Sequence, residues 1–158
     1  MACKVLLAEN PFFRQRNIYI LENILKYGRF VLDEETKKWL NKADSDLKHA
    51  GNALGDNDLD WAELASQQSA EKALKAVCIQ NGFGLIKTHD LTILARKVKA
   101  PLDIVQKGGL LNPFYTSARY PDVEELMDAE ANKEAAKDAV KAAKAILQWC
   151  KKQLKLKT

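Results

Sequence analysis

From residue 33 onward the apolar positions repeat with a helical period. Leu40, Ala43, Leu47, Ala50 and Leu54 alternate spacings of three and four, so they line one helix face, and the run GDND at 55–58 breaks it. Asp33 is suited to cap that helix, with Glu34 and Glu35 in its first turn. A second helix is predicted from Leu59 to Gln80, closed by the glycines of NGFG. It is dense in small residues: Ala62, Ala65, Ser66, Ser69, Ala70, Ala73 and Ala76. Small side chains let helix axes approach closely, so this helix is expected at the centre of a bundle. Thr88 or Asp90 can cap a shorter helix reaching about Lys97, and Pro101 can open another that the glycines at 108–109 end or loosen. The last helix, from about 123 to 156, carries Ala129, Ala136, Val140, Ala143, Leu147, Cys150 and Leu154 on one seam. No alternating strand pattern and no repeat of roughly 20–50 residues is visible. The pattern predicts an all-α, up-and-down bundle of about four to five helices.

The first 32 residues differ from the rest. An apolar run interrupted by Pro11 leads into Ile18, Leu21, Ile24 and Leu25 at helical spacing, stopping at Gly28. They read as an N-terminal helical extension (1–32) ahead of a bundle domain (33–158). At 158 residues there is room for one core of good size. Seven glycines and four prolines supply few turns for an all-β chain. Three scattered cysteines and two histidines, without a CxxC pair, suit neither a disulfide framework nor a zinc site; no metal and no cofactor is expected. No segment has the length of a membrane span or the form of a signal peptide, so a cytoplasmic location is expected.

The net charge of +4 is mild, but its distribution is uneven: five carboxylates and no cation between Pro121 and Glu130, then eight lysines from Lys133 to the end. The Lys133, Lys137, Lys141, Lys144, Lys151 and Lys155 stripe is either a solvated face or a patch for an anionic partner. Gln67, Glu71 and Lys75 stand at successive intervals of four, either as a polar stripe on a partly exposed face or as the wall of a polar cleft. Ser66 and Ser69 read as packing residues, and Trp39 and Trp61 as core or dimer packing. His89 reads as a helix-start residue that could also serve as a base. In the run YTSARYPD, Pro121 and Asp122 suit the start of the last helix. That turn does not account for Arg119, Tyr120 or Tyr115. Arg119 either bonds a carbonyl or carboxylate within the turn or contacts a phosphate or nucleotide, with Tyr115 and Tyr120 offering stacking faces.

Three stretches, ASQQSAEKALKA (65–76), THDL (88–91) and YTSARYPD (115–122), occur in an order and spacing that resemble the HEPN domain family over roughly residues 36–153. The resemblance implies a helical bundle, usually a homodimer, with nucleotide or RNA chemistry among its relatives. Many prokaryotic members act with a minimal nucleotidyltransferase, often as a toxin–antitoxin pair. Catalytic members carry an arginine followed a few residues later by a histidine and cleave RNA without a metal. Here no arginine lies closer upstream of His49 or His89 than Arg29, and no histidine follows Arg119. The expectation is therefore a binding or partner module, with Arg119, Tyr120, Tyr115, Gln67, Glu71, Lys75 and His89 facing the ligand. The alternatives are a ribonuclease using Arg119 with a base from elsewhere, and a purely structural dimeric module.

Overall fold

The structure is a computed structural model that describes residues 32–117 and 129–155. Six helices follow one another among these residues: α1 (Glu34–Gly55), α2 (Leu59–Gln80), α3 (Leu91–Lys97), α4 (Leu102–Leu111), α5 (Phe114–Ser117) and α6 (Ala129–Lys155). They form the all-α bundle that the periodicity predicts. The N-terminal extension and the 118–128 stretch lie outside the described residues.

Local chemistry sets the ends of these helices. Asp33 caps α1, its Oδ1 accepting from the Thr36 backbone N–H at 2.7 Å. At the end of α2 the Gly82 N–H reaches Ile79 O and the Phe83 N–H reaches Cys78 O, both at 2.9 Å. That is a Schellman closure, with Gly82 at φ 82° in the left-handed position it requires. Pro101 stands one residue earlier than expected, as the cap of α4. The glycines at 108–109 lie within α4 and do not end it. A Cβ on Gly108 would meet the Leu91 Cβ at 3.1 Å, so this glycine lets α4 press against the first turn of α3.

α2 packs against α1 on one side and α6 on the other, as its small residues require. Fifteen of its residues are buried, among them Ala62, Ala65, Ala70, Ala73 and Ala76. Ser69 donates its hydroxyl to Ala43 O of α1 at 2.8 Å, and Ser66 bonds back to Ala62 O at 2.7 Å. Both serines therefore serve packing. The main core joins Ala43, Leu74, Val77, Leu91, Leu94, Ile104, Leu111, Ile146, Leu147 and Leu154, and a smaller cluster gathers Ala53, Ala62 and Ala136. Trp39 packs at its edge, whereas Trp61 is 55% exposed and is no core residue. It belongs to the first turn of α2, one position ahead of the buried face that starts at Ala62.

Candidate functional site

The middle of α2 turns one polar face inward. Gln67, Glu71 and Lys75 occupy successive turns, and 0%, 5% and 6% of each is exposed. A partly exposed polar stripe was one reading of this spacing; the burial excludes it. Lys75 Nζ donates to Glu71 Oε1 at 2.7 Å and lies 5.8 Å from the Trp39 ring centroid, so α1 covers the ammonium with an aromatic face. Gln67 Nε2 donates to Glu71 Oε2 at 3.1 Å and to the His89 carbonyl at 3.3 Å. His89 Nδ1 stands 3.0 Å from Glu71 Oε2 and 3.2 Å from Oε1. Three side chains converge on one buried carboxylate.

His89 is held from its other side by the loop that carries it. The next residue, Asp90, caps α3: its Oδ1 accepts from the Thr92 N–H at 2.8 Å, the Thr92 hydroxyl at 2.6 Å and the Ile93 N–H at 3.2 Å. Asn112 joins the cap, donating Nδ2 to Asp90 Oδ1 at 2.9 Å and accepting the Leu91 N–H on Oδ1 at 2.8 Å. This clamp ties the start of α3 to the end of α4. It thereby brings Tyr115, three residues beyond Asn112, over His89, one residue before Asp90. The two rings stack with centroids 4.2 Å apart and planes 17° from parallel. The His89 side chain remains 53% exposed, while that of Glu71 beneath it is 6% exposed.

Ionisation follows from these contacts. Burial pushes the Glu71 carboxyl up, but hydrogen bonds from Lys75, His89 and Gln67, with the Lys75 charge, outweigh it and leave the group below its ordinary value. Glu71 is thus a carboxylate, which can only accept. Nδ1 of His89 must therefore carry a proton, and Nε2 at the exposed edge is either a free base or, in the imidazolium, a second donor. The Thr92 hydroxyl, then Asn112 and the backbone N–H groups, hold the Asp90 carboxyl below its ordinary range against slight desolvation. One turn before Gln67, burial and the nearby Asp60 charge push the Glu63 carboxyl up to about 7.

Of the residues singled out in sequence, Gln67, Glu71, Lys75, His89 and Tyr115 come together. Arg119 and Tyr120 lie outside the described residues, as do Pro121 and Asp122. His49 is exposed on α1. Asn112 and Glu63 are not singled out in the sequence, and Trp39 reads there only as core or dimer packing. Asn112 stands just ahead of Pro113, a turn-forming pair that could have drawn notice. No group of three histidine, cysteine or acidic side chains among the described residues could hold a metal ion. The lysine stripe of α6 is partly neutralised: Lys137 pairs with Glu134 at 2.9 Å, Lys141 with Asp138 at 3.0 Å, and Lys151 with Asp44 of α1. No helix of the described residues is long and apolar enough to cross a membrane.

The described residues thus form an all-α bundle whose central helix holds a buried carboxylate against a half-exposed histidine. The model of the HEPN domain matches residues 36–153, and the chain belongs to that family. Solved structures agree. TT1696 from Thermus thermophilus is 30% identical, with a TM-score of 0.68, over 76% of this chain and 98% of that one. ST0689, an archaeal HEPN homologue, is also 30% identical, with a TM-score of 0.65, over 77% of this chain and 98% of its own. A HEPN domain protein from Thermotoga maritima, 22% identical over 75% of this chain and 98% of its own, shares the fold with a TM-score of 0.62. No curated protein matches the chain.

Proposed function

We propose that this HEPN domain is a binding module for a nucleotide or RNA strand. The observation that carries the reading is the stacked His89–Tyr115 pair set over the buried Glu71–Lys75 pair. Aromatic faces stack bases with little regard to sequence, and an imidazole edge recognises phosphate. Arg119 and Tyr120, four and five residues beyond Tyr115 in sequence, are read with it as ligand contacts, a guanidinium fork for phosphate and a second ring for stacking. The module acts in the cytoplasm as a homodimer, with a minimal nucleotidyltransferase as partner in a toxin–antitoxin-like pair. The bundle from residue 33 onward is the binding unit and residues 1–32 an appendage to it.

Fluorescence anisotropy with a labelled single-stranded RNA tests the site. Tyr115→Ala and Arg119→Ala should each weaken binding about tenfold or more, the loss of one good contact. Thermal melts should stay near those of the wild type. Arg119→Lys should recover part of the affinity, since it restores charge without the bidentate fork. Wild-type affinity in both alanine variants would overturn the reading. Sedimentation equilibrium should give twice the chain mass; a monomer at micromolar concentration would remove the homodimer.

One observation favours a second reading, ribonuclease activity with Arg119. A carboxylate-held imidazole with its far nitrogen exposed has the geometry of a general base, so His89 could fill the role that the sequence leaves without an owner. Purified protein is expected not to cleave single-stranded RNA, with or without metal. Cleavage that disappears in both Arg119→Ala and His89→Ala would establish the enzyme instead.

A further inference from the structure

The charges around His89 do not sum to zero in both of its protonation states. From α2 the ring faces Glu71, in hydrogen bond with Nδ1, and Lys75 behind it, 2.7 Å from the same carboxylate. From α5 it faces the Tyr115 ring. Asp90, next in the chain, is turned into the cap of α3 and occupied by Thr92, Ile93 and Asn112. Glu71 and Lys75 cancel one another, and the ammonium is engaged in that buried pair. With His89 neutral the described groups Glu71, Lys75 and His89 carry no net charge together, and the imidazole offers a lone pair at Nε2. With His89 protonated it carries one positive charge and offers an N–H at the exposed edge. Of the two forms of the imidazole, only the second donates to an anion.

Resting on the binding reading above, we infer that His89 Nε2–H is the phosphate-recognising donor of this site and that phosphate binding takes up a proton. Two features make the imidazole a gated donor and not merely a surface histidine. The Glu71 carboxylate fixes the ring's orientation and tautomer, so that every change in protonation falls on Nε2. The Tyr115 ring covers one face of the imidazole, so approach is through the edge or the opposite face. The ligand class is the phosphate of a nucleotide or of an RNA backbone. A neutral nucleoside would gain nothing from the proton.

The test uses the full chain and a tetramethylrhodamine-labelled 2′-O-methyl oligouridine, which cannot be cleaved by its own 2′-oxygen and whose label does not titrate in the working range. Its backbone phosphodiesters do not titrate near neutrality, so a pH dependence reports the protein. Anisotropy titrations would run from about pH 5.5 to about pH 8.5. Affinity should fall as pH rises, by at most about tenfold per unit, the limit for uptake of one proton. His89→Gln should bind weakly and with little pH dependence, whereas His49→Gln should behave as the wild type. Uridine monophosphate as competitor separates the two phosphate sources: strong competition indicates a mononucleotide site, weak competition a strand, and either agrees with the inference. Binding with the same pH profile in wild type and His89→Gln would overturn proton coupling and leave the binding reading standing. Absence of binding at every pH would overturn both. The tautomer can be read without ligand, because the chain has two histidines. Long-range nitrogen–proton NMR above neutral pH should show His89 protonated at Nδ1 and bare at Nε2. The opposite tautomer would sink the inference whatever the binding result.

Discussion

At the scale of single residues, the polar face of α2 holds groups whose ionisation works in opposite directions. Glu63 is raised from 4.5 to about 7, first by burial and then by Asp60. The folded chain keeps this proton over a range where the unfolded chain has lost it. Its contribution to stability is therefore full below about 4.5 and declines as pH rises toward 7. Glu63→Gln should match the wild type near pH 4 and exceed it at pH 8, with a gap on the order of 1–2 kcal/mol once solvent on the open side is allowed for. Melts at the two pH values check this; a gap that does not widen removes the buried acid. Glu71 is the reverse case. Its depressed value contributes stability at neutral pH that is lost as pH falls through the folded value. Glu71→Gln or Lys75→Met alone leaves a buried partner uncompensated and should cost about 3–5 kcal/mol. The double variant should recover much of that loss in chemical denaturation yet fail to bind RNA. If each single variant is nearly neutral, the pair is not buried as described. The spacing of Gln67, Glu71 and Lys75 was legible in the sequence, but their burial was not. A period of four places three side chains on one face without saying whether a loop will cover it. The cover comes from Trp39 of α1 and from His89, whose loop is held by the Asp90–Asn112 clamp.

At the scale of elements, helix ends and crossings are set by a few backbone positions. Gly108 and Gly109 are neighbours in α4 with different surroundings. A Cβ at Gly109 would meet Thr92 Cγ2 at an ordinary 3.6 Å, whereas one at Gly108 would meet Leu91 Cβ at 3.1 Å and its carbonyl carbon at 3.3 Å. Leu91 cannot easily yield, because its N–H is held by Asn112 and it is fully buried. Gly109→Ala should therefore stabilise by about 0.5–1 kcal/mol, the usual helical gain. Gly108→Ala should destabilise by about 1–3 kcal/mol, as overpacking does. Equal behaviour of the two in denaturant titrations would refute the tight crossing. Lys99 ends α3 at φ 56°, in the left-handed position that glycine fills at the end of α2. Lys99→Gly should accordingly raise stability by up to about 1 kcal/mol. The long helices were legible, since Asp33, GDND and NGFG punctuate a sustained period. The path of α4 through its glycines was not. A glycine pair reads as a stop when only local preference is considered, and tertiary packing against Leu91 overrides it.

At the scale of the whole molecule, α2 is the element that both packs the core and builds the site, so its stability and its chemistry are linked. One side of α2 meets α6 through small residues, and there the two buried thiols, Cys78 and Cys150, report on the seam. Burial pushes the Cys78 thiol up to about 11 against the opposing charges of Lys97 and Lys75. Cys150 is raised well above its ordinary value by complete burial, with Cys78 adding to it. A thiol is nucleophilic only as thiolate, so neither should react in the folded state even with a small reagent. In a Cys3→Ser background, which removes the thiol outside the described residues, Ellman's reagent should find no promptly reacting cysteine. Both should react in denaturant. At low denaturant, slow labelling should proceed through opening of the fold, and the two thiols should share one opening free energy if α2 and α6 separate only when the whole bundle unfolds. Mass spectrometry of partly labelled chains distinguishes the cases. Doubly labelled and unlabelled molecules without a singly labelled population indicate one cooperative unit. A population labelled only at Cys150 would show that α6 detaches while α2, and the Glu71–His89 site on it, stays folded. The bundle would then contain a separable last helix, contrary to the cooperative core that joins Leu74 and Val77 to Ile146, Leu147 and Leu154.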